Sequence, residues 1–319
     1  MVMTELNSFA VSVITLVIVV LLKAIMTHVV AHEPLRFFRF YCQLLSNKVN
    51  LTKNSDKQRT IAGLVAVVVT LLPLAIILWL FEAFVEVAVL WQGLLLYLAM
   101  ASFGIKASNK SVAQALVAKQ NYLAKQSLQP WLLRETEQLS SLGLSKAAIE
   151  MQLLRTLQQG YVVAFIFLFV GPLSALIYRL LLEMHYCWNS KVERYRYFGL
   201  YAGNLAALCQ WLPVRLFSLT LLIANIGRNF LLFWRLSRGK FFQLNNDIAI
   251  MLLALSLEVR LGGVAMYDKQ KLRKVSFNDL AKQPEPKDII HADTAIKRII
   301  AVSFLLVITA AVTSVVIGQ

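Results

Sequence analysis

Charge is what this sequence has least of. Asp, Glu, Lys and Arg make up 15% of its 319 residues, against 58% hydrophobic, whereas about a quarter of a soluble domain is charged. The shortfall excludes an ordinary water-solvated globule and asks for a second solvent, the bilayer. Acid is scarcer than base: 17 Asp and Glu face 32 Lys and Arg, a formal net charge of +15. Cysteine is sparse, and Cys42, Cys187 and Cys209 show no CxxC spacing, which supports neither a disulfide framework nor a zinc site. The four His are scattered. His28 and His32 stand four apart without a third ligand nearby and read as residues at a helix end, so no metal site is expected. P-loop, GxGxxG, HExxH and GxSxG signatures are missing, as are internal repeats, strand alternation and low-complexity tracts.

What is present is a set of apolar runs. Ile61–Phe81, Val87–Ile105, Thr156–Tyr178 and Ile299–Ile317 carry no charge and pass the length test for a spanning helix, which is about 20 residues. Leu6–Leu22 is shorter and ends at Lys23, whose stem can snorkel to the interface. It begins without basic residues and lacks a cleavage site, so it reads as a retained helix. Pro73 and Pro172 inside such runs read as kinks that a membrane tolerates. Leu216–Gly227 is apolar but bounded by Arg215 and Arg228, so residues 205–234 read as an irregular or re-entrant membrane segment. The expected fold is all-α: a polytopic membrane protein with about five spanning helices and that irregular segment, forming one domain over residues 1–319.

Lys and Arg set the expected orientation. Thr27–Thr60 contains six of them and Lys106–Arg155 seven, whereas the turn carrying Glu82 and Glu86 has none. The positive-inside rule then places the basic loops in the cytoplasm and the N-terminus outside. A further crossing near 205–234, or a re-entrant fourth run, keeps 235–298 cytoplasmic and leaves the C-terminus outside as well. The two cytoplasmic segments, 106–155 and 235–298, read as helical. A break is expected at Gly143 with an N-cap at Ser145, a helix near 247–259, a turn at Gly262-Gly263 and an extended Pro284-Glu285-Pro286. Glu82 and Glu86 read as the solvated ends of a hairpin. Lipid accounts for the basic loops, and nucleic acid is not an expected partner.

An ordered series of short motifs carries a resemblance. His32-Glu-Pro-Leu-Arg36 is followed by Arg134-Glu135-Thr136, Lys146-Ala-Ala-Ile-Glu150 and Gly171-Pro-Leu-Ser-Ala-Leu-Ile-Tyr-Arg179. Then come Glu193-Arg-Tyr-Arg-Tyr-Phe-Gly199, Pro213-Val-Arg-Leu216, Val259-Arg-Leu-Gly-Gly263 and Pro284-Glu-Pro-Lys-Asp-Ile289. The series resembles the CobD/CbiB family, the membrane adenosylcobinamide-phosphate synthases of cobalamin biosynthesis in bacterial inner membranes. The resemblance implies an ATP- and Mg²⁺-dependent amide ligation joining adenosylcobyric acid to aminopropanol or its phosphate. It implies substrate and phosphate contacts at Arg36, Arg134, Arg179, Arg194, Arg215, Gly262 and Gly263, and catalytic acids at Glu135 and Glu150.

Several of the family's acids have no counterpart. Gln158-Gln159 stands where the family has Glu-Asn and then Asp, and His185 stands at an Asp position. Ala206 and Ala207 replace an Asp-Asp pair, and Lys23 lies near a missing N-terminal Asp. A methyl group can neither coordinate Mg²⁺ nor take a proton. This acid-poor character is similar to AmpE, a relative discussed as a membrane sensor, whose Val-Pro-Val-Arg-Leu stretch resembles Leu212-Pro-Val-Arg-Leu216. The Leu-Gly-Gly263 and Pro-Glu-Pro286 tail is closer to CobD/CbiB. Two readings therefore stand: a ligase of the cobalamin pathway, active or catalytically degenerate, and a non-catalytic sensor of the inner membrane.

Overall fold

The computed structural model describes residues 8–29, 35–101, 104–132, 136–225, 230–267 and 270–317. His32, Arg134 and Glu135 lie outside them, as does the side chain of His28. The chain divides into two compact units. One lies within residues 1–102, 158–209 and 304–319, the other within 103–157 and 210–303.

Among the described residues, four helices are long and apolar enough to cross a bilayer. They are α1 (Ser8–Val29, by its stretch Ser8–Met26), α3 (Asp56–Glu82), α10 (Leu200–Ala224) and α13 (Pro286–Ile317, by its stretch Pro286–Val316). Their large apolar side chains stay exposed, among them Ile18 and Leu21 of α1, Val69 and Ile77 of α3, and Leu305 and Val312 of α13. Such bands are untenable in water and suited to lipid. The fold is that of an all-α polytopic membrane protein.

In the first unit, α3 starts at a capping box. Ser55 Oγ accepts from Gln58 N–H at 3.3 Å, and Gln58 Oε1 accepts from Ser55 N–H at 2.9 Å. One face of α3, Gly63, Ala66, Val67 and Leu71, is buried. Gly63 is where this face comes closest to its neighbour: a Cβ there would sit 1.9 Å from the Phe198 carbonyl oxygen. A backbone carbonyl cannot swing aside as a side chain can. Gly63→Ala should therefore lower stability by about 1–3 kcal/mol, outweighing the helix propensity it gains. At Gly93 the nearest atom is Thr15 Cγ2 at 3.7 Å, so Gly93→Ala should be neutral or stabilising. Unfolding of both variants in detergent checks this, and equal effects would show that the α3 contact is loose.

Several expected spans take another form. Val87–Ile105 yields only α4 (Ala88–Ala99), which is 12 residues or about 18 Å long. Thr156–Tyr178 is not one helix. After α7 (Ser141–Thr156) a π-helical turn runs over Leu157–Tyr161, followed by α8 (Val162–Phe169) and then α9 (Pro172–Cys187). Gly171 adopts φ +124°, a left-handed value, and its N–H donates to Ile166 O at 3.0 Å. Pro172 supplies the first position of the new helix, and its ring bars α geometry from the residue before it. The proline read as a kink thus begins a second helix, and α8 packs against α9. Between α1 and α3, α2 (Arg36–Val49) packs on α9 as well.

Residues 205–234 are also corrected. Residues 205–224 belong to the continuous α10, with Pro213 inside it, and 230–234 to α11 (Phe230–Ser237). The Arg215 charge interrupted the apolar run in the sequence, but its side chain is satisfied locally, as described below.

The second unit contains α5 (Gly104–Val117), α6 (Asn121–Leu128), α7, α11 and α12 (Asp247–Ser256). The N-cap of α7 is Ser140, whose Oγ accepts from Gly143 N–H at 3.2 Å, and not Ser145. Gly143 falls inside the first turn and does not break the helix. A two-stranded antiparallel sheet, β1 (Leu261–Tyr267) with β2 (Gln270–Phe277), was not foreseen. Gly262 and Gly263 form no turn. They lie in β1 with φ of +73° and +102°, at a register shift before Val264. Pro286 begins α13, and Glu285 N–H donates to Asp288 Oδ2 at 2.8 Å.

A buried arginine–glutamate cluster as candidate functional site

On α9, Arg179 and Glu183 lie one helical turn apart and therefore on the same face. Glu183 is fully buried. It accepts from Arg179 Nη1, and from Arg39 of α2 through Nε at 2.6 Å and Nη2 at 3.4 Å. Arg179 is 5% exposed at its side chain, and its Nε is buried without a hydrogen-bond partner. Lys23 of α1 is buried too. Its ammonium lies 4.1 Å from the Tyr97 ring centroid on α4 and close enough to Arg179 to repel it. Arg39 of α2 and Arg179 of α9 thus share one buried carboxylate, with Lys23 of α1 beside Arg179 and capped by the Tyr97 ring of α4. A buried charge needs a partner or a ligand, and Arg179 retains an N–H donor to offer an anion.

The π-helical turn borders α9. Tyr178 Oη donates to Gln158 O at 2.9 Å, and Tyr186 Oη donates to Gln158 Oε1 at 2.7 Å. Gln159 Nε2 is buried with no hydrogen-bond partner. π-turns widen the helix and recur at functional sites. The His185 imidazole is held to about 4, by burial first and then by the Lys191 charge, so it is neutral at ordinary pH.

The other expected residues do not join this cluster. Arg36 begins α2 and is exposed. Arg194 is exposed and donates to Asn47 Oδ1 at 2.6 Å, while its carbonyl accepts from Asn50 Nδ2 at 2.8 Å and from Arg59. In the second unit, Arg215 is buried and spends its guanidinium on backbone carbonyls. It donates to Phe241 O at 2.7 Å, Asn245 O at 3.1 Å, Trp211 O at 3.3 Å and Gln243 O. Glu150 and Gly262 do meet there: Gly262 N–H donates to the buried Glu150 Oε1 at 2.8 Å. The glycine amide expected to cradle phosphate is taken by a carboxylate of the chain. Lys146, one turn before Glu150, has its pKa lowered first by burial and then by Arg260.

Arg39 and Glu183 received no role from the sequence, and Lys23, read as a stem that snorkels to the interface, is instead buried against Tyr97. A charge ending an apolar run and an i, i+4 Arg–Glu pair inside an apolar segment were the signals available. Among the described residues no three His, Cys, Asp or Glu side chains gather as a metal cluster. Glu183 is bonded to two arginines and Glu150 to a backbone amide, so these residues do not fit a carboxylate-held Mg²⁺.

Four membrane-length helices, one of which contributes Lys23 beside the buried Arg179–Glu183 pair, define a polytopic α-helical membrane protein. The chain belongs to the CobD/CbiB family, whose model, described as CobD/Cbib protein, matches residues 14–296. It is similar to the cobalamin biosynthesis protein CobD of Chromobacterium violaceum, at 28% identity over 65% of this chain and 67% of that protein. The CobD of Stutzerimonas stutzeri is 26% identical over 72% of this chain and 76% of that protein. The CobD of Leptospira interrogans is 26% identical over 59% and 61%. No solved structure matches.

Proposed function

We propose that this protein serves cobalamin biosynthesis in a bacterial inner membrane. Its step is the joining of aminopropanol, or its phosphate, to adenosylcobyric acid, and its own contribution is to bind an anionic group of these substrates. The observation that carries the reading is the buried Arg179 guanidinium with an unpartnered Nε. A carboxylate or phosphate oxygen would complete its hydrogen bonding. Glu183 fixes the guanidinium plane through Nη1, leaving the Nε edge for the ligand. The names of the relatives supply the pathway. The basic loops face the cytoplasm, where they meet anionic headgroups.

Two measurements test it. Arg179→Gln should weaken binding of adenosylcobyric acid or aminopropanol phosphate to the purified protein by about 10- to 150-fold, the worth of one charge-assisted contact of about 1.5–3 kcal/mol. Unchanged affinity for both ligands in a folded variant would remove Arg179 from the site. Growth of a strain lacking its cobinamide-phosphate synthase, supplied with cobyric acid and dependent on cobalamin, tests the joining step itself. Failure of the well-expressed wild-type chain to restore growth would refute ligation.

A further inference from the structure

The helix α2 carries two unlike faces. Cys42 and Ser46 are buried. On this side α2 packs on α9, Trp188 Nε1 donates to Cys42 O at 3.0 Å, and Arg39 pairs with Glu183. Phe37, Phe40, Tyr41 and Leu44 are exposed, Phe37 by 86%. Their spacing, i, i+3, i+4 and i+7, sets them in one stripe along the helix. A contiguous aromatic stripe of this kind marks a surface that something apolar covers.

Two hydrogen bonds to α3 fix how deep the stripe lies. Tyr41 Oη and Thr70 Oγ1 share one at 3.1 Å, and Arg59 Nε donates to Asn50 Oδ1, at the C-terminal cap of α2, at 2.9 Å. Tyr41 to Asn50 is about 14 Å of helix rise, and Arg59 to Thr70 about 17 Å. Lengths so close mean that α2 runs antiparallel beside α3, with Asn50 level with Arg59 and Tyr41 level with Thr70. The uncharged run of α3 begins at Ile61, and Thr70 stands near its middle. Phe37, one turn before Tyr41, lies deeper still. Lys48, Lys53, Lys57 and Arg59 flank the shallow end, where anionic headgroups suit them. At 14 residues, or about 21 Å, α2 is too short to cross a hydrocarbon core of about 30 Å.

The geometry points to α2 as a half-inserted helix whose Phe37, Phe40, Tyr41 and Leu44 stripe contacts the acyl chains of the bilayer. The stripe continues the lipid-facing surface of α3, where Val69 and Leu72 are exposed on either side of Thr70. Arg36 stands between Arg39 and Phe40 on the helix surface, at the edge of the stripe beside the Arg39–Glu183 pair. Charges at such depth turn to protein or water rather than to lipid. Of the stretch Thr27–Thr60, expected in the cytoplasm, α2 is withdrawn into the lipid, and the basic stretch from Lys48 to Arg59 stays at the headgroups. The Arg39–Glu183 pair, held by α2, lies by the same measure near the middle of the membrane.

The test uses the wild-type full chain in vesicles of phosphatidylcholine and phosphatidylglycerol containing a phospholipid with a diazirine midway along one acyl chain. After irradiation and proteolysis, mass spectrometry should locate adducts on the α2 stripe, with adducts on Val69 and Ile77 of α3 as the internal reference. Hydroxyl radicals generated in the water should oxidise Phe37 and Phe40 several-fold more slowly than in the denatured chain. Rapid oxidation of the stripe without adducts would place it in water. Protection without adducts would place it under protein, either a second copy or another segment of this chain. Either result would overturn the proposal.

Discussion

Replacing Glu183 by Ala should cost about 3–5 kcal/mol of stability, the usual penalty for breaking a buried ion pair from one side. The carboxylate is fully buried and accepts from two guanidinium groups. Its removal leaves Arg179, 5% exposed, without its counter-ion in a region that water does not reach. Arg39 is 31% exposed and can turn partly to solvent, so the penalty falls mainly on Arg179. The pairwise double change Arg179→Met with Glu183→Leu should cost much less, because it removes the stranded charge along with its partner. Denaturant unfolding in detergent measures both variants. A Glu183→Ala loss below about 1 kcal/mol would mean that the cluster is hydrated and is not the dry charged core described above.

Arg215→Ala should destabilise the protein by a comparable amount, about 3–5 kcal/mol. Each hydrogen bond to a charged group contributes about 1.5–3 kcal/mol, and neighbouring bonds do not add fully. The guanidinium fork holds the carbonyls of Phe241, Gln243 and Asn245, the stretch leading into α12, onto α10. Asn246 reinforces the join by donating from Nδ2 to Gln210 Oε1 at 2.9 Å. Lysine at this position should recover less than half of the loss, since one ammonium cannot reach carbonyls set around a planar fork. Hydrogen exchange over 241–247 should accelerate in parallel. If Arg215 instead contacted substrate phosphate, Arg215→Ala would unfold like wild type and lose ligand affinity. That outcome would reassign the residue.

The sequence on its own determined the solvent, the helical class and the family. Few charges and long apolar runs admit little besides membrane helices, and the ordered motifs from His32 to Pro286 span the region that the family model matches. Periodicity and composition act locally, so they are legible in one dimension. Breaks within runs were harder to read. Nothing in the composition of Thr156–Tyr178 distinguishes a kinked span from a helix that ends at Phe169 and restarts at Pro172. That depends on Gly171 taking φ +124°.

Roles of charged side chains were decided only by tertiary structure. Arg179 and Arg215 read alike in the sequence as basic residues beside apolar runs. One meets a buried carboxylate and keeps an Nε donor, while the other is consumed by the carbonyls of its own unit. Gly262-Gly263 read as a turn because glycine marks many backbone conformations. The strand pairing that gives Gly262 its partner at Glu150, 112 positions away, leaves no local trace. Composition determines which solvent a chain needs; which donor faces which acceptor is set by contacts between residues far apart in the sequence, and only the folded chain forms them.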